Sequence, residues 1–498
     1  MKKILAVLSA ALALSASASW ERVGSLQVAD MTVVGQSVGT LGMMCGNPMA
    51  SAALAASVAD MRTVKIFGPM RPGASMVFSL FMDGGTLPAK ESGDATLQSL
   101  EYAILYPMAR SRAEFMKMHS GSFETNGLAV VRKTIDSDQT NDTTYVAFSA
   151  DGQWAGASDS PEQAAAALAD IGIALKPMDG DVVRVRVNDS GINAVASALG
   201  RSEDANPHAL ALVKSVSSCS CGLRIGEKGV DIRMRINPVA GSELAKIGKV
   251  SLPADPLAFA GKTGIMVQSA GPDCGNFTPD LDALWPELTK ILDKQGLAPD
   301  TFVTREKVAG GDRLTFDMAM LVKLLGELDS KKREFDDEML AKDLLALEGN
   351  KPFAAKGPAR ACAFGIKGFE SAWPASERFA ATLPEAAALK PYEVRFVSVT
   401  SLFKALVPVL VSKMPEESRA AMGSALATMA VESKGGIASA AWSDTDSFFN
   451  MVRISADEIR GVGNLFNAAI VLMTQGRTTE TGDADDADDA DDDSDDED

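Results

Sequence analysis

Residues 175–188, LKPMDGDVVRVRVN, place a Leu-Lys-Pro tripeptide shortly before a segment in which valine and arginine alternate. Strict alternation is typical of a β-strand with one covered face and one face toward solvent. The same order of features returns at residues 389–398, LKPYEVRFVS. This recurrence indicates that one structural unit occurs twice in the chain.

Other short motifs recur in the same order, at separations between 211 and 229 residues. They are Cys45-Gly46-Asn47 with Cys274-Gly275-Asn276, Ala147-Phe148 with Ala363-Phe364, Val183-Arg184 with Val394-Arg395, and Arg235-Ile236-Asn237 with Arg453-Ile454-Ser455. A collinear set of matches is the signature of internal repetition. We therefore predict two tandem lobes, at residues 19–250 and 251–476.

The predicted fold class is α+β, because short alternating segments bounded by turn residues are interleaved with helical segments. Each lobe is expected to be a mostly antiparallel sheet with helices on one face. The second lobe carries an additional apolar and charged stretch at about 318–347, which predicts a helical hairpin insertion.

Local signals locate several elements. Ser111 with Glu114 forms a capping box, and Ser160 followed by Pro161 is typical of a helix start. The segment Met31–Val34 predicts a strand. A helix is expected to begin at Asn237-Pro238 and to close the first lobe.

The first eighteen residues have the pattern of a cleaved signal peptide. Lys2-Lys3 precedes an apolar run over residues 4–14, and Ala16-Ser17-Ala18 supplies small residues before Ser19. This run is shorter than the roughly 20 residues that span a bilayer. We expect a periplasmic or secreted protein with no transmembrane segment and, since the first cysteine is Cys45, no lipid anchor.

The formal charge of −18 is concentrated in residues 483–498, which contain twelve acids and no base. The remaining body is only mildly acidic, which argues against nucleic acid as a partner. Residues 477–498 are expected to be disordered because they have almost no apolar content. Such a segment favours solubility or spacing, and the alternative is weak binding of a divalent cation or a basic partner.

Five cysteines are too few for a disulfide-dense scaffold in a chain of this length. Cys45 and Cys274 occupy matching positions in the two lobes, so they are either buried thiols or an inter-lobe disulfide. Cys219 and Cys221 are spaced too closely for a zinc knuckle, and on a strand they would share one face.

The chain matches the S-x-x-K motif of penicillin-binding enzymes at Ser401 and Lys404, and the K-T-G motif at residues 262–264. Their order is the reverse of the order in that family, so serine acyl transfer is disfavoured. Histidine occurs only at His119 and His208, for which structural or surface roles are expected.

Oxygen side chains at Asp136, Asp138 and Asp142 alternate between two predicted strands and are weak candidates for a metal site. The segment lacks the glycine and the glutamate of an EF-hand loop, so a solvated hairpin tip is the competing interpretation. No cofactor is predicted.

The leading functional hypothesis is an exported, non-catalytic envelope protein. Duplicated halves create a concave junction, and such junctions favour the binding of a ligand or a protein partner. One alternative is a purely structural protein. Another is an exported hydrolase that uses carboxylates in place of the scarce histidines.

Overall fold

The computed structural model of the protein describes residues 20–46, 67–83, 100–119, 123–125, 127–133, 142–199, 207–242, 244–246, 250–272, 281–294, 297–330, 359–413, 431–444 and 446–466, with isolated residues at 52 and between 416 and 426. The predicted signal peptide at 1–18 and the acidic segment at 477–498 lie outside these ranges.

Seventeen strands of the described residues belong to one sheet. They are β1 (Trp20–Val28), β2 (Met76–Asp83), β3 (Leu100–Pro107), β4 (Phe123–Thr125), β5 (Leu128–Lys133), β6 (Asp142–Phe148), β7 (Trp154–Ser158), β8 (Val183–Val187), β9 (Val216–Gly226), β10 (Gly229–Pro238), β11 (Met266–Ala270), β12 (Val303–Val308), β13 (Gly311–Phe316), β14 (Arg360–Ile366), β15 (Glu393–Val397), β16 (Ile437–Ser443) and β17 (Phe448–Ser455).

The helices of the same ranges alternate with these strands. They are α1 (Met31–Met44), α2 (Arg112–Met118), α3 (Pro161–Ala167), α4 (Ile171–Ala174), α5 (Asp189–Leu199), α6 (Pro207–Lys214), α7 (Leu281–Lys294), α8 (Met318–Ser330), α9 (Ala375–Thr382), α10 (Ala386–Leu389), α11 (Val399–Ser412) and α12 (456–466). Helices and a large, mostly antiparallel sheet agree with the predicted α+β class.

The backbone pairings give the spatial order β4-β5-β6-β7-β3-β2-β1-β8-β9-β10-β17-β16-β15-β11-β14-β13-β12. Among these described pairs only β13 and β14 run parallel. The sheet continues across the predicted boundary between the two lobes at residue 250, because β10 of the first lobe pairs with β17 of the second over eight residues.

Helices pack on both faces of the sheet, so the prediction of helices on one face is wrong. Ala363 belongs to the core cluster that includes Ala375 and Phe379 of α9. The adjacent Cys362 belongs to a cluster with Leu281 of α7. Neighbouring residues of a strand point to opposite faces, so α9 and α7 cover opposite sides.

Two local predictions are also wrong. Met31–Val34 begins α1, where the Asp30 carboxylate accepts a hydrogen bond from the Thr32 amide at 2.7 Å. No helix begins at Asn237-Pro238, because β10 extends to Pro238 and pairs there with Val216 across an irregularity. A proline is tolerated at such a place because its missing N–H costs little at the end of a ladder.

The capping predictions are confirmed. Ser111 accepts from the Glu114 amide while the Glu114 carboxylate accepts from the Ser111 amide. Ser160 accepts from the Gln163 amide, with proline at the first helical position. Of the predicted insertion, α8 occupies Met318–Ser330, and the remaining residues to 347 lie outside the described ranges.

Two groups of four strands share one pairing order, since β1, β8, β9 and β10 adjoin as β11, β15, β16 and β17 do. The hydrogen bond from the Ala29 amide to the Val182 carbonyl has a counterpart from Gly271 to Tyr392. The bond from Asn188 to Val23 has a counterpart from Ser398 to Ile265. If the two groups of strands are matched by these hydrogen bonds, residue 182 of the first group corresponds to residue 392 of the second.

Candidate functional site

A row of polar residues crosses the first four of these strands near the join between β10 and β17. Ser25 of β1 lies opposite Arg186 of β8, which lies opposite Ser220 of β9, which lies opposite Arg235 of β10. Directly opposed residues of antiparallel strands point to the same face. Arg186 and Arg235 are therefore two strands apart on one face, with Cα atoms about 10 Å from each other.

A half-open cleft of about 400 Å³ lies over this row. Arg22, Arg186 and Arg235 line it, together with the Ser220 position between the two arginines. The volume lies within the range of ordinary ligand pockets, at their smaller end. The cleft can therefore hold a small molecule in contact with several guanidinium groups.

The three arginines differ in their partners. Arg22 forms a salt bridge with the buried Asp170 at 2.5 Å. Arg186 donates to the Gln27 carbonyl at 3.1 Å, and Arg235 donates to Ser447 at 3.0 Å. Within the described ranges, no carboxylate lies at salt-bridge distance from Arg186 or Arg235. Neither Arg186 nor Arg235 has a directly bound carboxylate there, although the charge of Arg235 helps, after hydrogen bonds from the Asp446 and Ser447 amides, to lower the pKa of the nearby Asp444.

In the neighbouring row of the same strands, a carboxylate lies between the two arginines. Arg184 of β8, Gly222 of β9 and Arg233 of β10 lie opposite one another in the same way. The Asp181 carboxylate pairs with both arginines, at 2.7 Å from Arg184 Nη2. A Cβ added at Gly222 would meet the Asp181 oxygen at 2.4 Å, so the missing side chain makes room for the carboxylate.

The cleft repeats the pair of arginines but has neither the glycine nor the carboxylate. Ser220 takes the position of Gly222, so its side chain fills the space that Asp181 uses in the neighbouring row, and the open volume adjoins it. An anion in the cleft would accept hydrogen bonds from Arg186 and Arg235 across the Ser220 side chain. Arginine binds carboxylate and phosphate oxygens well because its planar group presents several N–H donors.

Gln27, which lies opposite Arg184 on the same face of the sheet, holds the Arg186 side chain from the neighbouring row. It is fully buried, and its amide group donates to Ser75 Oγ at 2.7 Å and to the Ile173 carbonyl at 3.1 Å. These bonds leave the Gln27 carbonyl oxygen to accept from Arg186. The donor of the cleft is therefore held in place before any ligand binds.

The electrostatic surroundings of the cleft favour an anion. Burial lowers the pKa of Arg186, and the positive charges of Arg184 and Arg22 lower it further, while Asp181 opposes them. A bound anion would relieve this repulsion. The Cys219 thiol at the cleft has its pKa raised by burial and by Cys221, so it remains protonated near neutral pH.

The second half of the chain contributes to the border of the cleft. The Arg235 guanidinium lies 5.6 Å from the ring centre of Phe449, which stacks on Trp442 at 5.3 Å. Ser447 also donates to Asn237, beside Arg235, at 2.9 Å. Residues of β10 and β17 together thus restrain the position of Arg235.

The structure gives the S-x-x-K segment a packing role. Ser401 is fully buried at the start of α11, where its hydroxyl accepts from Arg378 Nη1 at 2.7 Å and donates to Glu432 at 3.0 Å. Lys404 pairs with the same carboxylate at 3.3 Å. Arg378 also donates to the Gly264 carbonyl, which explains why the two motifs lie together.

The other sequence candidates do not meet at a described site. Asp136, Asp138 and Cys274 lie outside the described residues, and Asp142 begins β6 opposite Lys133. The disulfide between Cys45 and Cys274 stays a prediction, with Cys45 half-buried at the end of α1. In the part of the chain that is described, no group of three or more His, Cys, Asp or Glu residues could hold a metal ion.

His119 lies at the C-terminal end of α2, with its ring centre 4.6 Å from that of Phe115. None of the helices described here is long and apolar enough to cross a bilayer. Comparison of the chain with protein-family models, curated proteins and solved structures finds no match.

Sequence reasoning missed the arginine cleft. The alternation in residues 183–187 predicts a strand with one solvent-facing side, and this is the signal that the sequence offers at Arg186. The helical segment at Ile173 in fact partly covers that face, so Arg186 lines a cleft between sheet and helix.

Proposed function

We propose that the protein is an exported, non-catalytic binding protein that holds a small dianion, such as a phosphorylated or polycarboxylate molecule, in the arginine cleft. The observation that carries the proposal is the contrast between two adjacent rows. Asp181 bridges Arg184 and Arg233, whereas the cleft lies between Arg186 and Arg235. The ligand would supply the anion that the second row lacks.

The binding chemistry needs no catalytic group. Two guanidinium groups about 10 Å apart at their Cα atoms can converge on one anion, since each side chain extends several ångströms above the sheet. The acidic overall composition does not oppose this, because a local positive potential in a cleft attracts anions at short range.

Internal duplication is the second part of the proposal. The shared pairing order of the two groups of four strands supports it, and so do the matching hydrogen bonds at residues 182 and 392. This alignment pairs Arg184 with Val394, one residue away from the motif match at Val394-Arg395. A slip of one residue changes the face on which every side chain lies.

Under this alignment the two halves have diverged at the cleft. Arg186 corresponds to Phe396, which is fully buried beneath α9 with Ala438 opposite it. Arg235 corresponds to Arg453, which pairs with Asp231. One half thus keeps arginines that have no salt-bridge partner in the described part of the chain, and the other half uses the same positions for core packing and an internal ion pair.

The hydrolase alternative gains no support from the buried carboxylates Glu432 and Glu458. Glu432 accepts hydrogen bonds from Ser371 and Ser401, and Glu458 accepts from Thr400 and Ser433. Groups engaged in this way are held by the protein itself. A structural role without any ligand would leave the gap between Arg186 and Arg235 without an explanation.

The test measures binding of inorganic phosphate and citrate by isothermal titration calorimetry at low salt, with the mature chain and with a form lacking residues 483–498. Arg186→Gln and Arg235→Gln are each expected to weaken binding roughly 10–100-fold, since a hydrogen bond to a charged group contributes about 1.5–3 kcal/mol. Arg460→Gln is the matched control, because Arg460 is exposed on α12 and pairs only with Asp457 among the described residues.

The proposal would be contradicted if both cleft variants bound phosphate and citrate as tightly as the control variant. It would also be contradicted by the absence of saturable binding of either anion in both forms of the protein.

A further inference from the structure

We propose that residues 483–498 bind in the arginine cleft of the same molecule and compete with its anionic ligand. This inference rests on the proposed function, because it uses the same two arginines. It makes the acidic segment a built-in competitor and gives it a role beyond solubility.

The chemistry of the segment matches the gap. Residues 483–498 contain twelve carboxylates and no base, and all but one of the acids are aspartate. Aspartate is the residue that already bridges Arg184 and Arg233 in the neighbouring row. Any of several aspartates in the segment can therefore accept hydrogen bonds from Arg186 and Arg235, on the open side of the Ser220 side chain.

The charge balance favours an internal contact. Arg186 and Arg235 have no salt-bridge partner within the described residues, whereas the nearby Arg22 and Arg184 are paired with Asp170 and Asp181. The acidic segment is strongly self-repelling, so bringing part of it beside this cleft lowers its electrostatic energy. No other run of the sequence carries so many acids without a base.

The connecting chain is long enough. The α12 helix follows Ser455, which pairs with Gly229, whereas Arg235 lies six residues further along β10, about 20 Å away. Even if the described part of α12 pointed directly away from the cleft, its 11 residues would add only about 16 Å. The distance to cover is then about 36 Å, and 17 residues, the length of 467–483, can span at most about 55–60 Å.

The expected strength of the contact is modest. For a tether of this length the effective concentration of the segment is on the order of 1 mM, so an intrinsic dissociation constant of about 0.1 mM gives roughly tenfold competition. Opposite charges are screened within about 8 Å at physiological salt, so the competition weakens as salt is added.

The experiment compares phosphate affinity in three forms of the mature protein. One is the full chain, one lacks residues 483–498, and one keeps the segment length with its acids replaced by asparagine and glutamine. Both altered forms are expected to bind phosphate about 5–20-fold more tightly than the full chain at roughly 10 mM salt. At about 0.5 M salt the difference should fall below about twofold. Equal affinity in all three forms at low salt would overturn the internal contact while leaving the anion site intact.

A synthetic peptide of residues 483–498 provides a second readout that does not depend on phosphate. It is titrated into the protein lacking that segment, and binding is expected to disappear with Arg186→Gln combined with Arg235→Gln and to persist with Arg460→Gln. If phosphate fails to bind but the peptide binds in this arginine-dependent way, the internal contact holds and the small-ligand function fails. Peptide binding that ignores both cleft arginines, or no peptide binding at low salt, would overturn the contact.

Discussion

Glu432→Gln is expected to lower the free energy of unfolding by about 3–5 kcal/mol at pH 7, because it leaves a buried arginine without its counter-ion. Arg378 is fully buried, and its Nη1 lies 3.6 Å from the Glu432 carboxylate. Glutamine keeps the size of the side chain and some of its hydrogen bonds. It removes the negative charge that pairs directly with the guanidinium, while the more distant Glu458 remains.

The loss should depend on pH in a defined direction. Burial raises the pKa of Glu432, but hydrogen bonds from Ser371, the Ala372 amide and Ser401 outweigh it, so the pKa lies below its ordinary value of 4.5. A carboxyl with a lowered folded pKa stabilises the protein above its unfolded pKa, and the contribution disappears as pH falls through the folded value. The difference between wild type and variant should therefore be complete above about pH 5 and shrink below pH 4.5.

Urea unfolding at pH 7, 5 and 3.5 measures this difference. Glu377→Gln is the matched control, because Glu377 belongs to an exposed pair with Lys434 and should cost less than about 1 kcal/mol. A loss that is equal at all three pH values would show that the charge of Glu432 is not the cause.

Asp231→Asn is expected to cost about 2–4 kcal/mol, because Asp231 and Arg453 form the buried ion pair that joins β10 to β17. Arg453 Nη2 donates to Asp231 Oδ2 at 2.9 Å, and its Nη1 lies 2.9 Å from Glu385. The remaining contact with Glu385, which is partly exposed, compensates the arginine only in part.

The paired change Asp231→Leu with Arg453→Met tests whether the ion pair itself contributes net stability. Replacing a buried ion pair by apolar residues of similar volume is often neutral or stabilising, so most of the loss should be recovered. Calorimetric unfolding of the single and paired variants provides the measurement. A paired variant as unstable as Asp231→Asn would mean that the ion pair itself contributes net stability at this position.

Much of the fold could be predicted where the signal was local. The caps at Ser111 and Ser160 use side chains within three residues of the amides they bind, so sequence spacing reveals them. The strand β1 escaped prediction because a register shift between Arg22 and Gly24 breaks its alternation, and the buried Gln27 resembles a solvent-facing residue. The helix predicted at Pro238 failed because tertiary pairing with β9 extended the strand.

The candidate site could not be found in this way. Arg186 and Arg235 are adjacent only because β9 pairs with both of their strands, and neither residue is unusual in its own segment. The absence of a carboxylate between them becomes visible only beside the row that contains Asp181. The two rows are formed by pairing between distant strands, so the spacing of residues in the sequence does not reveal them.

The pairing of β10 with β17 also determines what each half would do alone. A first half made without the second would expose the full hydrogen-bonding edge of a ten-residue strand, which is a strong template for self-association. If two such edges paired about a two-fold axis in the alignment proposed above, Asp231 of one copy would face Arg235 of the other. In such a dimer Arg235 would pair with Asp231 of the other copy, whereas in the joined chain it remains available to a ligand.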